Sequence, residues 1–245
     1  MSYLLAVLKT IGGPGSLGFL LTGLIAGSAA LWLSPRTRRT VFTLAGLLIA
    51  GYVVLATPVV AARLVRSLPS APEPSREAIR ATRTLVVFDG DNREGRRRRA
   101  RQVMRIAAPE TVWLLGANYL QADLRVTMPP STALHHDGAT WNTHAQVVRV
   151  QQIAEAWPEA PIALIASTVQ MPRISAQMGV TRGAPVLLVP SPLDRRLPAS
   201  GAIRFMPSYT ALMTSRDAIY EHAALAYYRW RGDLQPPVEA RSWLF

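Results

Sequence analysis

Two long stretches without a charged residue, 11–35 and 40–62, set the first constraint on this 245-residue chain. An α-helix rises about 1.5 Å per residue, so roughly 20 apolar residues cross a hydrocarbon core about 30 Å thick. Both stretches reach that length. Glycines and Pro58 inside them weaken a helix in water but are common in membrane helices. Core helices of soluble proteins rarely run so far without charge, so the expectation is a membrane anchor over 1–66. Its two transmembrane helices fall at about 14–34 and 40–62. A cleaved signal peptide fits less well. Lys9 is the only basic residue ahead of the first stretch, and Ala29 and Ala30 lead into Leu31 and Trp32 rather than a polar mature start.

Net charge is +12, and Lys9 is the only lysine, so arginine carries nearly all of the 27 basic side chains. That balance favours anionic partners such as lipid head groups, phosphates or nucleic acid. Nucleic acid is not expected, because the chain is tethered and neither a reader motif nor stacking aromatics accompany its arginines. The absence of cysteine excludes disulfides and thiolate metal ligands. Two spans would put the N-terminus and the rest of the chain on one side of the bilayer. Arg36, Arg38 and Arg39 between the spans argue for a cytoplasmic connector and an external domain. Lys9, Arg63, Arg66, Arg76 and Arg80 at the other ends pull the opposite way.

A linker follows at 67–82, where Pro69, Pro72 and Pro74 interrupt helix formation. The remainder, 83–245, reads as one domain. Apolar runs at 85–88, 112–115, 162–165 and 186–189 predict strands. Between them lie helical patterns: one ending near 107 with Ala100, Val103, Met104 and Ala107 on one face, then 142–157, 171–178 and 215–231. Residues 119–139 are poorly patterned, with room for one short strand. The alternation predicts an α/β fold: a Rossmann-like, three-layer parallel sheet domain preceded by two transmembrane helices. Ligands in such folds sit beyond the carboxyl ends of the strands. That directs attention to 89–97, 116–119, 139–143, 167–173 and 191–194.

Those segments carry an ordered set of short motifs. An apolar strand ends in Asp89-Gly90 and leads to Arg96 and Arg97; a second strand closes on Gly116; Asn142-Thr143 opens a helix. Ser167 begins a turn that runs through Gln170 to Pro172-Arg173. Toward the end come Pro207-Ser208, Ala211-Leu212, Ser215, Glu221 and Tyr228-Arg229-Trp230-Arg231-Gly232. In this order, over roughly 83–232, the set resembles the YdcF-like family, which includes SanA and ElyC and has long been filed as a domain of unknown function. The resemblance implies a Rossmann-like domain in the bacterial inner membrane, multi-pass, with its soluble part outside the cytoplasm. It further implies a part in cell-envelope or cell-wall biogenesis around a phosphate-bearing, lipid-linked precursor. The chain departs from the family pattern at three places. The Gly-Gly turn is Asp89-Gly90-Asp91, the Glu after Asn-Thr is Ala145, and the His of the His-x-Pro-Arg turn is Gln170. The last two are the natural proton-transfer positions, so their loss favours binding over catalysis.

The retained positions suit an anion. Asn142 and Thr143 would present free N–H groups at a helix N-terminus. Arg96 and Arg173 would give bidentate hydrogen bonds to phosphate. Gly90 would let backbone approach the ligand. With the other positions that the family resemblance matches, the expected ligand-binding set is Gly90, Arg96, Arg97, Gly116, Asn142, Thr143, Ser167, Gln170, Arg173 and Glu221. The expected partners are the lipid bilayer and an anionic, phosphate-bearing small molecule or lipid-linked precursor.

An alternative starts from Asp89 and Asp91, which after an apolar strand resemble the opening motif of metal-dependent phosphatases of the haloacid-dehalogenase type. One aspartate would attack phosphorus, the other would serve as acid and base, and magnesium would bridge. Ser167 or Thr168 suits that family's second motif. Against it, the required lysine is missing, since Lys9 lies before the first stretch. The arginines at 93, 96–99, 101 and 105 read as a solvated helix face or a contact for lipid head groups. His135, His136 and His144 have no spacing suited to zinc.

Overall fold

The computed structural model describes residues 35–70, 72–90, 93–116, 120–140, 142–179, 183–192, 197–198 and 200–232. The predicted span at 14–34 lies outside them, as do Asp91 and residues 193–196. The chain divides into two compact units, Met1–Ser67 with Leu197–Ala218, and Leu68–Arg196 with Ile219–Phe245.

The first unit holds α1 (Pro35–Leu55), α2 (Pro58–Arg66), a short 3-10 turn (Ala202–Phe205) and the start of the last helix, α8 (Tyr209–Arg231). Among the described residues, α1 alone is long and apolar enough to cross a membrane, and none of its residues is buried. Two sequence expectations need correction. Arg36, Arg38 and Arg39 are not a free connector but form the first turns of α1, which starts at Pro35. Nor does one helix run across 40–62. It breaks at Thr57, whose extended backbone (φ −82°, ψ 135°) precedes Pro58 in the first turn of α2. Proline tolerates that position because an N–H there has no helical acceptor, and it disfavours helical geometry in the residue before it.

The second unit is a five-stranded, wholly parallel sheet in the order β3-β2-β1-β4-β5. Its elements are α3 (Arg76–Arg80), β1 (Thr84–Phe88), α4 (Arg93–Ala107), β2 (Thr111–Leu115), α5 (Gln121–Arg125), β3 (Ala133–Asp137), α6 (Thr143–Ala156), β4 (Ile162–Ser167), α7 (Met171–Met178) and β5 (Val186–Ser191). Strands β1 and β4 are buried along their whole length, as expected of central parallel strands covered on both faces. Alternate side chains serve opposite faces. Val86, Phe88, Leu115, Leu164 and Ala166 pack with α6 and α7, whereas Leu85, Val87, Leu114, Ala163 and Ile165 pack with α4 and α5. The chain is an α/β protein with a Rossmann-like sheet. Part of the predicted linker is ordered structure: Ser75 caps α3 by accepting from Ala78 N at 3.1 Å, and Ile79 is buried against the face covered by α4.

Candidate functional site

In the order β3-β2-β1-β4-β5, the chain leaves β1 toward one edge of the sheet, then returns to β4 and proceeds to the other. In parallel α/β sheets, such a reversal is where a ligand crevice forms, beyond the carboxyl ends of the two strands on either side of it, here β1 and β4. Asp89 and Gly90 follow β1 there; Thr168, Val169 and Gln170 follow β4.

Arg96 is the central feature of this crevice. It stands at the fourth position of α4, and helical side chains lean toward the helix N-terminus, so it reaches back to the loop after β1. It is wholly buried, yet Nε, Nη1 and Nη2 have no hydrogen-bond partner among the described residues. Gly90 (φ +150°) leaves it room: a Cβ there would lie 2.8 Å from Arg96 Nη1, 3.1 Å from Nη2 and 3.3 Å from Gln170 Nε2. Gln170 Oε1 is likewise buried and unpartnered. The β1 loop, the first turn of α4 and the turn before α7 therefore converge on one buried guanidinium. A buried cation without counter-charge is costly, and the geometry of an arginine fork matches phosphate or carboxylate oxygens.

Hydrogen bonds hold the strand ends around it in place. Asp89 N donates to Leu115 O at 2.9 Å, and Asp89 Oδ1 accepts from Gly90 N at 2.7 Å. Gly116 N donates to Asp137 O at 2.8 Å. With φ +78°, Gly116 admits no side chain, since a Cβ would sit 2.9 Å from both Thr140 O and Gln146 Nε2 and 3.0 Å from Asp89 Cβ. Gln146 was not singled out from the sequence. It is buried and donates to Leu115 O (3.0 Å) and Thr140 O (3.2 Å), tying the end of β2 to the turn before α6. Its signal was its place one helical turn after Asn142. Across β4 and β5, Thr168 Oγ1 donates to Ser191 O (2.7 Å) and Ser191 Oγ to Ala166 O (3.0 Å).

Other expected site residues are placed differently. Asn142 caps α6, its Oδ1 accepting from Ala145 N at 2.8 Å, with Thr143 as the first helical residue. Ser167 is buried at the end of β4. Arg97 faces Glu94 (3.7 Å) and Asp123 (3.6 Å) rather than the crevice. Arg173 and Glu221 find each other: Nε and Nη2 each donate to a Glu221 carboxylate oxygen at 2.9 Å, both side chains are nearly inaccessible, and the Arg173 guanidinium lies 5.6 Å from the Tyr220 ring. That fork is occupied by protein.

The arginine-rich face of α4 has its own setting. Arg98, Arg99, Arg101 and Arg105 line, with Arg76 and Glu73, an open groove of about 720 Å³, in which Glu73 pairs with Arg99. His135 stacks on Trp113 with ring centroids 4.4 Å apart, and His144 lies over Tyr228 at 6.5 Å. Among the described residues, no group of three His, Asp or Glu is arranged to hold a metal. The chain matches no known family model, no curated protein and no solved structure.

Proposed function

We propose that this chain is a membrane-anchored α/β protein whose sheet domain binds a phosphate-bearing ligand at the Arg96 crevice. One observation carries the reading: a fully buried arginine with all three nitrogens unpartnered among the described residues, at the point where strand order reverses. A phosphate would supply the missing acceptors and counter-charge, while backbone N–H groups at the start of α4 would add to the cradle. The resemblance to the YdcF-like family supports an envelope setting, with two inner-membrane spans, an extracytoplasmic domain and a lipid-linked phosphate as the ligand. Replacement of the family's Glu and His by Ala145 and Gln170 favours a binding module over a hydrolase. The length and bare apolar surface of α1 support the anchor.

The test is a titration of the full chain in detergent micelles with inorganic phosphate and pyrophosphate, followed by thermal unfolding and calorimetry. At a hundredfold excess over Kd, a single site stabilises the folded state by about 2.7 kcal/mol. Arg96→Met should abolish that gain while leaving the unliganded protein as stable as before or more so, because it removes a buried charge that has no partner among the described residues. Equal stabilisation of the variant, or none of the parent protein, would overturn the site.

A further inference from the structure

A second surface lies in the first unit, and we propose that residues 202–209 form an apolar wedge inserted into the lipid bilayer at the end of α1. The inference rests on the anchor proposed above and is independent of the Arg96 crevice. The last carbonyls of a helix lack helical partners. At the end of α1 two carbonyls, that of Leu55 and that of Ala56 just after it, are met from far along the chain: Ser215 Oγ donates to Leu55 O at 2.7 Å, and Ser208 N donates to Ala56 O at 2.8 Å. These two bonds fix the start of α8 at the place where an apolar span leaves the hydrocarbon. Ser208 also caps α8, its Oγ accepting from Ala211 N at 3.2 Å, so the segment before it has a defined exit.

That segment is apolar and uncovered. The 3-10 turn packs beside α2, yet every residue from 202 to 207 is exposed. Ile203, Phe205, Met206 and Tyr209 are each more than half accessible, at 56%, 56%, 62% and 66%. Large apolar groups are seldom gathered so closely on a surface that faces only water. Their chemistry fits the boundary between acyl chains and head groups. The Arg204 guanidinium sits 4.7 Å over the Phe205 ring, so the ring can enter the apolar layer while the charge stays at phosphate level. Arg63 and Arg66, exposed in the last turn of α2, add cations suited to anionic head groups in the same unit. Continuity with the end of α1 selects the bilayer as occupant over a second copy of the chain or its own N-terminal residues.

The absence of native cysteine makes the test direct. Phe205→Cys, Met206→Cys and Leu48→Cys variants of the full chain would each carry one nitroxide in vesicles of phosphatidylethanolamine and phosphatidylglycerol. Collision rates with oxygen and with a water-soluble nickel chelate give the depth of each label. Labels at 205 and 206 should lie about 5–10 Å below the phosphate level, with the label at 48 deeper. A deep label at 48 beside nickel-accessible labels at 205 and 206 overturns the wedge and leaves the anchor standing. Labels at 205 and 206 shielded from both reagents mean that protein covers the patch, which also overturns it. A nickel-accessible label at 48 removes the anchor and the wedge together.

Discussion

Gly90 shows how much a single missing side chain decides. Its φ of +150° is uncommon for L-residues, and a methyl group there would press on Arg96 Nη1 at 2.8 Å. Arg96 is fully buried, so yielding to that methyl means shifting against packed neighbours. Gly90→Ala should therefore cost about 1–3 kcal/mol in backbone strain and crowding and weaken phosphate binding at the same site. Urea unfolding and phosphate calorimetry on the same preparation would measure both. An unchanged phosphate affinity in a folded Gly90→Ala protein would place the ligand away from the guanidinium. The residue type at 96 could not have been chosen from composition, since arginine also stands at 93, 97–99, 101 and 105. Periodicity held the clue. Ala100, Val103 and Met104 mark the buried face of α4, and stepping back one turn from Ala100 lands on Arg96.

Between elements, the Arg173–Glu221 pair links α7 to the last helix with two hydrogen bonds of 2.9 Å. Breaking a buried ion pair by removing one partner leaves the other charge stranded, so Arg173→Ala should destabilise by about 3–5 kcal/mol. Replacing both, as Arg173→Met with Glu221→Leu, should recover most of that loss. Denaturant midpoints of the two single variants and the double variant would measure the coupling, and additive losses would contradict it. The family resemblance points both residues toward a ligand, and no spacing rule connects positions 48 residues apart to reveal that they pair with each other. Secondary structure was legible where burial wrote it. Strands β1, β2, β4 and β5 appear as short apolar runs, and α7 was predicted with its observed limits. Strand β3 left little trace because Ala133–Asp137 (ALHHD) lies at the sheet edge with half-open side chains. Helix α8 starts at Tyr209, six residues before the predicted 215, where Pro207-Ser208 ahead of an apolar run gives the helix-start signal.

At the scale of the molecule, the chain is organised as two units that sequence order does not separate, because 197–218 groups with the N-terminal residues. Composition exposed the anchor-like stretch but not this return of the chain, which depends on contacts such as Ser215 with Leu55. Ser215→Ala should remove about 0.5–1.5 kcal/mol of stability without altering phosphate affinity. Chemical unfolding in micelles and the phosphate titration would separate the two effects. The same bond has a consequence in time. A ribosome adds about 5–20 residues per second, so the Leu55 carbonyl, 160 positions upstream of its partner, waits on the order of ten to thirty seconds after synthesis for its donor to appear. During that interval the end of the helix is held only by local bonds and solvent. A nascent chain stalled before Ser208 is therefore the form in which this end is most open to a protease or an insertion factor.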